Sequence, residues 1–190
     1  MRINPTEIYG NWDKGYVLDK HIISSTPKGE NVYGHMQFDT IRTELGELLY
    51  HLKYRGSLSN ITDIVKLIKP FLDSFQELKD VDIIIPVPPS KARDIQPVDE
   101  LAMAIAEYLG INFTNAVLEK ISTIPSKNIA KSNKVLGGSI QAKVKATRPH
   151  NILLIDDLYE TGQTLEECVS VLKSDPLLKK VYVLVMTKTR

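Results

Sequence analysis

Thirteen consecutive residues constrain this chain more than any other stretch: Ile152-Leu153-Leu154-Ile155-Asp156-Asp157-Leu158-Tyr159-Glu160-Thr161-Gly162-Gln163-Thr164. Four apolar residues in a row predict a short strand buried on both faces. The strand delivers two adjacent carboxylates, and a short spacer leads into Thr-Gly-x-Thr. Leu165, Cys168, Val169 and Leu172 then recur at helical spacing, and Val181 to Val185 form another apolar run. Strand, helix and strand at this spacing build a parallel sheet with helices on its faces. A second unit of the same kind precedes it. Val81 to Val87 reads as a buried strand, and the stripe Val98, Leu101, Ala102, Ile105, Ala106 and Leu109 as a helix ended by Gly110.

The loop has a physical use. Its amides, the hydroxyls of Thr161 and Thr164 and the positive helix N-terminus converge where a phosphate can sit, and Gly162 removes the Cβ that would bar the anion. Asp156 and Asp157 repel that phosphate, so they serve another part of the ligand. Vicinal hydroxyls, which donate hydrogen bonds and help to hold a divalent ion, complement a carboxylate pair. A phosphate with a diol a few ångströms away is a ribose 5-phosphate. The Walker and Rossmann glycine patterns are absent.

These thirteen residues resemble the signature of the type I phosphoribosyltransferase family: four apolar residues, two acids, a spacer and Thr-Gly-x-Thr. The resemblance implies an α/β fold with a parallel sheet flanked by helices. It also implies binding of phosphoribosyl pyrophosphate with Mg2+ and transfer of phosphoribosyl to a nitrogenous base with release of pyrophosphate. Asp156 and Asp157 would hold the ribose hydroxyls and, directly or through water, the metal. Thr161, Gly162, Gln163 and Thr164 would hold the 5-phosphate. Ser90, Lys91 and Arg93, in the loop after the strand at Ile83, are implied on the pyrophosphate side. Lys127 or Lys131 falls where the family places a loop that closes over the site. Glu160 occupies the spacer position where hypoxanthine-guanine enzymes carry an aspartate beside the purine, and is the candidate proton acceptor.

His51-Leu52-Lys53-Tyr54-Arg55-Gly56, Pro86-Val87-Pro88 and Gln96 before Leu101-Ala102 look like the ComF group of phosphoribosyltransferase-like proteins. That likeness implies an alternative: a non-catalytic module that binds a phosphoribosyl ligand or single-stranded DNA in DNA uptake or regulation. Trp12, Tyr9, Tyr16, Tyr33, Tyr50 and Tyr54 are available for stacking on a base, or equally for the core or a homodimer interface.

The first 79 residues predict an N-terminal appendage, and residues 80–190 the α/β core. Tyr16 to Ile23 and Asn31 to Tyr33 suggest a hairpin turning at Pro27-Lys28-Gly29-Glu30. Two helices follow, one carrying Ile41, Leu45, Leu48, Leu49 and Leu52, the next Ile61 to Phe75 with Pro70 as an expected kink. Cys168, the single cysteine, cannot form an internal disulfide, and no apolar run approaches the roughly 20 residues of a membrane span, so a cytoplasmic protein is expected. The net charge of +1 conceals a division. Between Lys120 and Ile155 there are seven cations and no acid, which leaves −6 elsewhere. A local anion site suits this better than a chain-wide polyanion surface.

Overall fold

The computed structural model describes residues 3–89, 95–121 and 139–189. A six-stranded sheet forms its centre. Its strands are β1 (Thr6–Glu7), β2 (Lys14–Lys20), β5 (Ile83–Pro86), β6 (Asn112–Phe113), β9 (His150–Tyr159) and β10 (Leu178–Lys188), in the order β1-β2-β10-β9-β5-β6. All neighbours are parallel except β1 and β2. Successive side chains of a strand point to opposite faces, and the two faces are covered differently. Leu153, Ile155, Tyr182, Leu184 and Met186 face α1 (Glu44–Arg55), α2 (Asn60–Ser74) and α3 (Pro97–Leu109). Ile152, Leu154, Val181, Val183 and Val185 face α4 (Gln163–Lys173), Trp12, and Leu118 and Ile140 of the antiparallel pair β7 (Leu118–Lys120) and β8 (Ile140–Ala142). The protein is thus an α/β fold with a mostly parallel sheet between helical layers.

The strand order fixes where a ligand can bind. From β5 the chain passes through α3 to β6 at one edge; from β9 it passes through α4 to β10 on the other side. Neighbouring strands whose connections depart in opposite directions leave a crevice at their C-terminal ends, where open α/β sheets bind ligands. β9 outlasts β5 there. The β5 ladder stops at Pro86 opposite Ile155, whereas β10 pairs with β9 as far as Tyr159. Asp156 and Asp157 therefore lie beyond the end of one neighbour while still held by the other.

The expected end of α3 at Gly110 holds. Gly110 takes φ 68° and its N–H bonds to Ala106 O and Glu107 O, ending α3. Thr43 caps α1 by accepting from Gly46 N at 3.0 Å. Among the described residues no helix is long and apolar enough to cross a membrane.

The hairpin is displaced from its expected place. Residues Tyr16 to Leu18 belong to β2, inside the central sheet beside β10. The hairpin is β3 (Ile22–Glu30) with β4 (Met36–Arg42), and Pro27-Lys28-Gly29 lies within β3. The register shifts between Pro27 and Gly29, and Gly29 takes φ 102°, so the expected turn is a bulge in an exposed two-stranded ribbon. The chain reverses where Asn31 Oδ1 accepts from Tyr33 N and His35 N at 2.9 and 3.0 Å, with Gly34 at φ 75°. Pro70 does not divide α2, which runs on to Ser74. Pro70 and Lys66, whose carbonyl loses its donor, both lie on the exposed side of the helix, open to solvent.

Candidate functional site

The acid pair forms the centre of the site. Alternation along β9 puts Asp156 on the face of Ile152 and Leu154, toward α4, and Asp157 on the face of Leu153 and Ile155, toward α1. The two carboxylates are sequence neighbours with different partners. Asp157 Oδ2 meets Lys53 Nζ at 2.7 Å. Asp156 Oδ1 accepts from Asp157 N at 2.8 Å. Burial, and then the charge of Asp157, push the Asp156 carboxyl up to about 7. Two neighbouring carboxyls, one of them buried, place negative charge where a cation or a hydrogen-bond donor would relieve it.

A cavity of about 420 Å³ opens over this pair, lined among others by Lys53, Tyr54, Gln96, Asp156, Asp157 and Thr164, with Val87, Pro88 and Pro89 from the loop after β5. A smaller one of about 120 Å³ is formed by Asp156, Leu158, Tyr159 and the loop from Glu160 to Leu165. The two adjoin, because Asp156, Leu158 and Thr164 line both. The smaller cavity is the size of a phosphate-like group and lies at the N-terminus of α4. Gly162 there adopts φ 81°, and a Cβ would stand 2.9 Å from Tyr159 Oη. Glycine is required by backbone sign and by space together.

Backbone position at Asp157 is held from behind. Thr187, fully buried on β10, donates from Oγ1 to Asp157 O at 3.2 Å, and His21 Nδ1 lies 3.1 Å from the same hydroxyl. With that hydroxyl proton committed to the carbonyl, His21 donates from Nδ1. Burial, then Arg42, hold the His21 pKa below its ordinary value, so the ring stays neutral at pH 7.

The sequence-expected residues distribute unevenly. Asp156, Asp157, Thr161, Gly162, Gln163 and Thr164 converge on the two adjoining cavities. Glu160 lines the smaller cavity with the loop and is absent from the wall of the larger one. Ser90, Lys91, Arg93, Lys127 and Lys131 lie outside the described residues. Of the five N-terminal tyrosines, Tyr54 alone reaches the larger cavity, and Tyr16 packs edge-on against Phe71 and Phe75. Cys168 is fully buried, and burial pushes its thiol up to about 12, which excludes it as a nucleophile. Sequence reasoning missed Lys53. Its one signal was its place in the run His51 to Gly56, beside Tyr54 at the end of an amphipathic helix.

Among the described residues no three His, Cys, Asp or Glu side chains cluster to form a metal site. Two carboxylates are hard oxygen donors that suit Mg2+, but such an ion must complete its shell with ligand oxygens and water.

The chain matches no protein-family model. Over 62 residues it is 37% identical to the transcriptional regulator GfcR of Methanocaldococcus jannaschii, a match that spans 33% of this chain and 29% of that protein. Among solved structures it is similar to adenine phosphoribosyl transferase from Trypanosoma brucei in complex with AMP, pyrophosphate and ribose-5-phosphate, with 13% identity, TM-score 0.48, and coverage of 98% of this chain and 86% of that one. It is also similar to orotate phosphoribosyltransferase from Aeropyrum pernix, with 15% identity, TM-score 0.40, and coverage of 88% and 76%. A third likeness, to phosphoribosylpyrophosphate synthetase from Mycobacterium smegmatis, has 16% identity and TM-score 0.43, and spans 65% of this chain and 33% of that one.

Proposed function

We propose that this protein binds phosphoribosyl pyrophosphate with Mg2+ and transfers the phosphoribosyl group to a nitrogenous base, releasing pyrophosphate. One observation carries the reading: an acid pair and a phosphate-sized loop cavity adjoin at the crevice between β5 and β9. Thr161 to Thr164 take the 5-phosphate, and Asp156 and Asp157 the ribose hydroxyls. Mg2+, held by Asp156 and Asp157 directly or through water, would neutralise charge on the diphosphate. The remaining work falls to the chain: excluding water from the anomeric carbon, orienting the sugar, and presenting the base from the side of Tyr54. Ser90, Lys91, Arg93 and Lys127 or Lys131 are proposed to meet the leaving pyrophosphate, and Glu160 to accept a proton. A homodimer in the cytoplasm is part of the same proposal.

A second reading, a ComF-like module that binds a phosphoribosyl ligand or single-stranded DNA without turnover, draws on the ion pair of Lys53 with Asp157, which already neutralises one carboxylate of the acid pair. Pyrophosphate release, measured over a panel of bases with phosphoribosyl pyrophosphate and Mg2+, separates the two. Release with at least one base supports transfer. Binding without release from any base favours the module, and absence of binding to both phosphoribosyl pyrophosphate and single-stranded DNA overturns both.

A further inference from the structure

Lys53 reaches the acid pair from a different part of the chain. It stands in the last turn of α1, whose residues Leu45, Leu49 and Leu52 are buried in the core shared with Leu153 and Ile155 of β9. The helix is therefore fixed against the sheet, and the lysine projects from an anchored base. Its Nζ lies 2.7 Å from Asp157 Oδ2, with side-chain exposures of 33% and 15%. Both residues line the larger cavity with Asp156 and Thr164. A partly desolvated pair is screened less by salt than one on the open surface.

A diol bound to two carboxylates donates its protons and leaves its oxygen lone pairs in need of a positive partner. A divalent cation supplies that partner in one way. An ammonium with three donors, already placed beside the carboxylate, supplies it in another. We propose that Lys53 is a ligand-binding residue of this site, the resident counter-ion of the acid pair, through which the diol of a ribose 5-phosphate binds without a divalent cation. The inference rests on the ribose-phosphate reading above. While Lys53 is present it assigns Mg2+ to the diphosphate part of a ligand and not to the sugar, so that a ligand without pyrophosphate binds metal-free; without Lys53 the cation takes its place at the diol.

The test is calorimetric titration of AMP and of ribose 5-phosphate, in EDTA and in excess Mg2+, into the wild-type protein, Lys53→Met and Lys53→Gln. The wild type is expected to bind with the same affinity in both buffers. Each variant should bind about tenfold or more weakly in EDTA, the loss of one charge-assisted contact, and recover in Mg2+, which also shows that its site is folded. Loss of wild-type binding in EDTA, or variants that bind as the wild type does in EDTA, overturns the inference and leaves the functional reading standing. Absence of wild-type binding to both ligands in both buffers overturns the functional reading itself.

Discussion

Single residues set the character of the site. Asp156 holds a proton in the folded state that it releases when unfolded, because its carboxyl is pushed from 3.8 up to about 7. Between those values the folded state binds more protons, so without ligand stability falls as pH rises through that window and levels off above it. Asn in its place keeps the oxygen that accepts from Asp157 N and loses the charge. Urea unfolding of Asp156→Asn should show that decline flattened, with a gain of up to about 4 kcal/mol at pH 8 and little change at pH 4. Gly162 is equally specific. Gly162→Ala must adopt φ 81° with a Cβ 2.9 Å from Tyr159 Oη, which predicts a loss of about 1–2 kcal/mol in the same assay. The identities of these residues were legible from Ile152 to Thr164 alone. That the two aspartates serve opposite faces was implicit in strand alternation, provided that the strand continued through them. It does, as far as Tyr159. A run of four apolar residues cannot reveal that, because the remaining pairing comes from β10.

At the scale of elements, α3 and α4 follow their apolar stripes closely, and each ends or begins where a glycine takes a left-handed conformation. Periodicity suffices there because one face of each helix meets a flat sheet. Cys168 lies on that face of α4, fully buried. A thiol reagent should leave it unmodified in the native protein and react at the rate of unfolding; rapid native labelling would show that α4 packs differently. The β3–β4 ribbon departs from its sequence pattern because Pro27-Lys28-Gly29 has turn composition but makes a bulge, while the turn depends on the side chain of Asn31. The ribbon's Val32 and Phe38 are exposed, at 92% and 57%. Substituting either with Ser should change stability by no more than about 0.5 kcal/mol, as measured by thermal unfolding. Lys53 belongs to the opposite case: a helix surface residue by sequence, it joins the site only because α1 packs over β2 and β10, which brings its last turn beside Asp157 of β9.

For the whole molecule, the strand order makes one crevice the natural binding place, and the chain's chemistry collects there. The N-terminal segment is part of that result: β2 pairs with β10, and α1 brings Lys53 and Tyr54 to the cavity. The near-zero net charge hid this, because opposed regions cancel. Part of the basic stretch is compensated locally, with Lys143 Nζ 3.5 Å from Glu119 Oε2. On the proposed reading a ribose 5-phosphate spans the loop at Thr161–Thr164 and the acid pair. The most direct test of that reading is titration of ribose 5-phosphate into the wild type, Thr164→Val and the double variant Asp156→Asn with Asp157→Asn, each confirmed as folded by circular dichroism. The wild type is expected to bind saturably, one to one, with affinity about tenfold or more weaker in Thr164→Val and lost in the double variant. Affinity unchanged in the double variant would contradict the reading.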